Sequence, residues 1–230
     1  MPGRELDLWI DADDTLWENN VFFERAFGEF VEYLGHSRLS HAQVREALDR
    51  IERINNRAHG YGAANFARNL EECFEQLCER GVTAEDRRRI RRWGEELSEH
   101  PLVLIDGVED TLAYLSARHR LMLCTKGNPG EQLGKIERSG LSGHFDHVQV
   151  VREKDADCYR RLVAERGVAA GNCWMIGNSP KSDINPALEA GISAVYVPHP
   201  RTWHLEHEAV PDSHERLLVV ESFALLRSHF

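Results

Sequence analysis

Long apolar runs are missing from this 230-residue chain. No stretch approaches the roughly 20 consecutive apolar residues needed to cross a bilayer, so a membrane-spanning helix is not expected. Cysteine is sparse and unpaired in pattern: five residues, at 73, 78, 124, 158 and 173, with no Cys-x-x-Cys. An odd set without paired spacing reads as reduced thiols, and hence as a cytoplasmic protein. Positive charge is also short. Lys and Arg number 28 against 38 Asp and Glu, a net charge of −10. That balance argues against nucleic-acid or anionic-membrane partners. No internal repeat or low-complexity tract occurs, and Met1-Pro2-Gly3-Arg4-Glu5 leads to the first strand without an apolar secretory segment. What remains, 42% hydrophobic, suits one core domain plus a smaller unit.

The most informative feature is Asp11-Ala12-Asp13-Asp14-Thr15, directly after the apolar stretch Leu6-Asp7-Leu8-Trp9-Ile10. The stretch reads as a buried strand, with acidic residues at its end. Side chains two apart on extended backbone share a side, so Asp11 and Asp13 are expected in one small site. Carboxylates that close repel unless a cation or proton lies between them, which suggests a metal, an acid/base pair, or both. The plainer alternative is that Asp14 or Thr15 caps the next helix.

Three further pieces follow in order. Leu121-Met122-Leu123-Cys124-Thr125-Lys126-Gly127-Asn128 is an apolar strand ending in a hydroxyl, a basic residue and a glycine. Hydroxyl and backbone N–H groups at a strand end suit an anionic oxygen. Lys154 follows Val148-Gln149-Val150-Val151, and Cys173-Trp174-Met175-Ile176 runs into Gly177-Asn178-Ser179-Pro180-Lys181-Ser182-Asp183. Asp183 could instead cap a helix beginning near Ile184. Strands alternate with helical stretches through residues 104–220. This predicts an α/β fold: a Rossmann-like parallel sheet with helices on both faces. In such sheets ligands lie at the carboxyl ends of strands, where all four pieces fall.

On these residues the chain resembles haloacid dehalogenase-like (HAD) superfamily hydrolases of the phosphatase type. That family's pattern is Asp-x-Asp-x-Thr after a strand, a strand ending in Thr or Ser, a Lys, then Gly-Asp/Asn-Ser-x-x-x-Asp. The chain supplies Asp11-x-Asp13-x-Thr15, Thr125, Lys154 and Gly177-Asn178-Ser179-x-x-x-Asp183. The resemblance implies that Asp11 is a nucleophile forming an aspartyl-phosphate and Asp13 the general acid and base. It also implies that Ala12, Asp13, Thr125, Lys126 and Lys154 bind phosphate. Mg²⁺ would be held by Asp11, the backbone carbonyl of Asp13, and Asp183, with Asn178 supporting. Asn178 stands where many relatives carry Asp, and brings no charge. Asp13 favours phosphoryl chemistry over dehalogenation, because an attack on carbon needs no leaving-group acid two residues on. The implied substrate is a small phosphorylated metabolite and the implied state a monomer or homodimer. A phosphotransferase or mutase using the same site, and a non-catalytic protein that binds a phosphorylated ligand, are the rival readings.

The middle of the chain reads as helices. Phe23, Phe27, Phe30, Val31 and Leu34 form one apolar stripe, and Phe66, Leu70, Phe74 and Leu77 another. Helices are predicted near 40–56, 64–80 and 83–99. By resemblance this is an inserted all-helical cap of the superfamily's first class, over residues 17–103, with the core formed by 1–16 and 104–230. Asn55-Asn56-Arg57-Ala58-His59-Gly60-Tyr61-Gly62 reads as a polar break between helices. Arg57, His59 and Tyr61 there are the candidates for substrate specificity. Arg87-Arg88-Arg89 with Arg91-Arg92 reads as a solvated face paired with nearby Glu residues. Pro198-His199-Pro200-Arg201-Thr202-Trp203-His204-Leu205-Glu206-His207 is the one stretch left without a role. His204 and His207 alone are too few for a zinc site.

Overall fold

A computed structural model of the chain describes residues 6–230. They divide into two compact units, one running to Asn20 and resuming over Leu102–Phe230, the other Val21–Pro101.

The first unit is built on six strands: β1 (Asp7–Ile10), β2 (Arg120–Lys126), β3 (His147–Val151), β4 (Cys173–Gly177), β5 (Ser193–Tyr196) and β6 (Leu217–Val219). They lie in the order β3-β2-β1-β4-β5-β6, and every adjacent pair is parallel. β1 is central and its four residues are all buried, as an apolar run covered on both faces requires. Alternation along it splits the core. Leu8 and Ile10 join Val108, Leu112 and Leu115 of α5 (Val108–Ser116) on one face. Trp9 faces the other way, with Tyr159 and Leu162 of α7 (Ala156–Arg166) and Ala187 of α8 (Asn185–Glu189). Helix α6 (Pro129–Ser139) completes the set. Chain order reverses direction across β1, where β2 and β4 lie on opposite sides, which is where such sheets open a ligand crevice.

The second unit is all helical: α1 (Asn20–Leu34), α2 (His41–His59), α3 (Ala63–Leu77) and α4 (Ala84–Glu99). The predicted helices lie close to α2, α3 and α4. The difference is at residues 57–59, past the predicted helix end near 56, which continue α2 by a further turn. Only Gly60, Tyr61 and Gly62 separate α2 from α3. Phe27, Phe30, Phe74 and Trp93 pack as stacked and edge-on rings. Helices α3 and α4 pass so closely that a Cβ on Gly94 would lie 2.6 Å from that of Ala67. The arginine run is paired: Arg87 with Glu71 at 2.6 Å and Arg88 with Glu85 at 3.0 Å.

Glu52 places a carboxyl in this largely apolar interior. It is buried in α2, and its Oε2 has no hydrogen-bond partner. Burial, with help from Asp49 and Glu24 and against Arg45, pushes its carboxyl up to about 8. The folded chain therefore holds a proton that the unfolded chain releases near the ordinary value of 4.5. Stability should fall as pH rises between those two values, and stay level above. Glu52→Gln is expected to flatten that decline and to stabilise the protein by about 1–3 kcal/mol at pH 8. Thermal unfolding at pH 5 and pH 8 measures both effects; equal slopes in the two proteins would sink the assignment.

Candidate active site

The end of β1 turns sharply. Asp11 N–H donates to the Ile176 carbonyl at 2.9 Å, carrying the β1–β4 pairing one residue further. Thr15 and Leu16 N–H groups then both donate to the Ala12 carbonyl, at 3.2 and 2.8 Å. Asp14 follows with φ 60°, a left-handed conformation that Asp tolerates because its short carboxylate bonds locally. That carboxylate accepts from the N–H groups of Asn19 at 2.8 Å and Asn20 at 3.1 Å, where α1 begins. Asp14 is thus the cap, one of the plain readings the sequence allowed.

Asp11 and Asp183 share one ammonium. Lys154 Nζ lies 2.5 Å from Asp11 Oδ1 and 2.7 Å from Asp183 Oδ1. All three are buried. Burial, and Asp183 beside it, push the Asp11 carboxyl above the ordinary carboxylate range, against the pull of Lys154. Lys154 is held charged: burial opposes its charge, but the two carboxylates outweigh that cost. The remaining oxygens are also fixed. Thr15 Oγ1 donates to Asp11 Oδ2 at 3.1 Å, and Ser179 N–H to Asp183 Oδ2 at 3.0 Å. Asp155 caps α7 through Cys158 N–H at 2.7 Å, which fixes the residue after Lys154.

Asp183 does not cap a helix. It sits in a single π-helical turn, Pro180–Ile184, closed by Ile184 N–H to the Ser179 carbonyl at 3.2 Å, a carbonyl that also accepts from Asp183 N–H at 2.8 Å. Gly177 makes room for it, since a Cβ there would stand 2.2 Å from Asp183 Oδ2. Gly177→Ala should therefore displace the carboxylate and cost about 1–3 kcal/mol of stability. Unchanged thermal unfolding in that variant would show that the site can open without strain.

Asp13 has a cation of its own, one that the sequence expectation of a shared small site with Asp11 did not include. Lys135 Nζ lies 3.0 and 3.1 Å from the two Asp13 oxygens. Gln132 Nε2 donates at 3.0 Å and Trp17 Nε1 at 2.7 Å. Burial alone would raise Asp13; Lys135 and these hydrogen bonds outweigh it and hold the carboxyl below its ordinary value. Asn128 caps α6, with Pro129 in its first turn, and the helix presents Gln132 and Lys135 three residues apart on one face. The sequence reading missed both. Their signal was this i, i+3 spacing in the helix that follows Thr125.

Thr125 is buried at the end of β2, with Oγ1 3.5 Å from Gln132 Oε1. Lys126, a phosphate-binding candidate in the sequence, binds Glu206 Oε1 at 2.7 Å and Ser182 Oγ at 2.8 Å through its ammonium. Adjacent strand residues face opposite sides, and Thr125 and Lys126 obey this. Asn178 accepts from Thr15 Oγ1 at 3.2 Å and donates to Thr202 Oγ1 at 2.8 Å. His199 lies 3.9 Å from Asp14 and 3.4 Å from Glu18 in a cluster of ionisable groups.

In the helical unit, Arg57 and His59 are exposed at the end of α2, and Tyr61 is half-buried between Gly60 (φ 82°) and Gly62 (φ 125°). Amides fix this connection. Asn65 donates to Asn56 Oδ1 at 2.8 Å and to the Gly60 carbonyl at 2.7 Å, and Asn55 to Asn69 Oδ1 at 2.9 Å.

Residues 9–191 match the family model "haloacid dehalogenase-like hydrolase". The chain is 28% identical over 186 residues to a phosphoserine phosphatase of Thermus thermophilus, covering 77% of this chain and 70% of that one. It is 29% identical over 204 residues to the N-acylneuraminate-9-phosphatase of Mus musculus, covering 84% and 82%. A haloacid dehalogenase-like hydrolase structure from Xanthomonas campestris superposes with a TM-score of 0.84 at 31% identity, over 98% of this chain and 94% of that one. The chain belongs to the haloacid dehalogenase-like hydrolase family and is of its phosphatase type.

Proposed function

We propose that this chain hydrolyses phosphate monoesters of small metabolites, through an aspartyl-phosphate on Asp11 and with Mg²⁺. The observation that carries this reading is the buried Asp11–Lys154–Asp183 cluster at the carboxyl ends of β1, β3 and β4. The donor set fits a hard cation: Asp11 is raised by burial and by Asp183, and one ammonium serves both carboxylates. Asp11, Asp183 and the backbone carbonyl of Asp13 would hold Mg²⁺, with Asn178 orienting a water. When bound, the ion offsets negative charge on the phosphoryl group and the carboxylates.

The chain's own groups supply the rest. Asp11 Oδ attacks phosphorus, and the P–O bond to the leaving group breaks. Asp13 donates a proton to the leaving oxygen, so in that step it must be protonated. It then takes a proton from the water that hydrolyses the acyl phosphate. Lys135, Gln132 and Trp17 favour its ionised form, the form needed for the second step. Thr125 Oγ1, Lys154 and backbone N–H groups at Ala12 and Asp13 hold the phosphoryl oxygens. The helical unit is proposed as the cap, with Arg57, His59 and Tyr61 selecting the substrate.

Phosphate release from a panel of phosphorylated metabolites, with Mg²⁺ and with EDTA, tests the reading. Metal-dependent release of free phosphate supports hydrolysis. Isomerised product without free phosphate would move the assignment to a mutase.

A further inference from the structure

The stretch from Pro198 to His207 had no role in the sequence reading, and Glu206 gives it one. This carboxylate is 6% exposed, and a buried carboxylate is costly unless it is fully bonded. It is. Oε1 accepts from Lys126 Nζ at 2.7 Å, and Oε2 from Ser179 Oγ at 2.6 Å and from Ser182 Oγ. Burial opposes its charge, but Lys126 and the two hydroxyls outweigh that and hold it ionised.

The hydroxyl protons are all accounted for. Ser179 Oγ accepts from Ser182 N–H at 2.9 Å, and Ser182 Oγ accepts from Lys126 Nζ at 2.8 Å. Each hydroxyl therefore sends its single proton to Glu206. Ser179 also anchors Asp183, through its N–H to Oδ2 at 3.0 Å and its carbonyl to Asp183 N–H at 2.8 Å. Glu206 thus stands one residue removed from Asp183 Oδ2. Its own segment is fastened to the same turn: Lys181 Nζ donates to the Leu205 carbonyl at 3.1 Å, and Asn178 to Thr202 Oγ1.

We propose that Glu206 is a positioning residue for the divalent cation: through Ser179 and Ser182 it sets the turn that aims Asp183. This rests on the reading of Asp183 as a metal ligand given above. An amide at 206 keeps the shape but offers one acceptor oxygen for three donors, so the turn loosens.

The test is Mg²⁺ binding by isothermal titration calorimetry on the full chain without substrate, for wild type, Glu206→Gln and Ser182→Ala, with thermal unfolding alongside. Residues that orient a metal ligand typically change affinity by about 10–100-fold. Glu206→Gln is expected to weaken Mg²⁺ about tenfold. Ser182→Ala, which leaves the Glu206 charge in place, should weaken it severalfold. Both variants should keep a cooperative unfolding transition. A lower melting temperature with unchanged Mg²⁺ affinity in both would make Glu206 structural only and overturn the proposal. Failure of wild type itself to bind Mg²⁺ would overturn the metal reading and this inference with it, and is told apart because it needs no variant.

Discussion

Asp11→Asn is expected to lower kcat/KM for every phosphate monoester by at least about 10⁴-fold, while the protein remains folded. The amide keeps the volume of the carboxylate and still offers Lys154 an acceptor oxygen. It is a far weaker nucleophile, so a phosphoenzyme no longer forms. Stability should hold or rise slightly, because burial disfavours the charge that the substitution removes. Turnover close to wild type in Asp11→Asn would rule out covalent catalysis at this residue. Phosphate release and thermal unfolding on the same preparation separate lost chemistry from lost fold.

Lys154→Met is the second large effect. Lys154 is 3% exposed and is the one cation in contact with both Asp11 and Asp183 among the described residues. Removing one partner from a buried ionic cluster typically costs about 3–5 kcal/mol, because the remaining charges are left uncompensated. Here two carboxylates would face each other. The variant should be least stable without metal and should gain more from Mg²⁺ than wild type does, read as a larger rise in melting temperature. Its activity should still fall by about 10³-fold, since loss of an oriented charge at a developing oxyanion commonly costs 10²–10³-fold and Lys154 also offsets Asp11 against an incoming dianion. Near-normal kcat/KM in Lys154→Met would remove Lys154 from the site.

The motifs were legible because each follows its strand directly. A residue at the carboxyl end of a parallel strand needs no long-range information to be placed at the crevice, and this covers Asp11, Thr125, Lys154 and Asp183. The sheet, its helices and the helical insertion were readable from periodicity for the same reason: those patterns are local. The partners of the motif residues were not. Lys135 binds a residue 122 positions away, and a lysine on an amphipathic helix reads as a solvated one. Glu206 closes on Lys126, 80 positions earlier. The end of α2 lies three residues past the predicted one near 56, at His59, because the polar stretch before Gly60 gave no apolar period to extend. Asn69, Asn65 and Glu72 satisfy or receive the Asn55 and Asn56 amides and let the helix run on to His59.

The most direct test of the account is to trap the intermediate. The enzyme turning over a phosphate monoester with Mg²⁺ is treated with borohydride, which reduces an acyl phosphate to the alcohol, and the product is mapped by peptide mass spectrometry. The account predicts homoserine at position 11, absent without substrate and absent in Asp11→Asn. Phosphate release with no reduction at position 11, or reduction at another carboxylate, would contradict it.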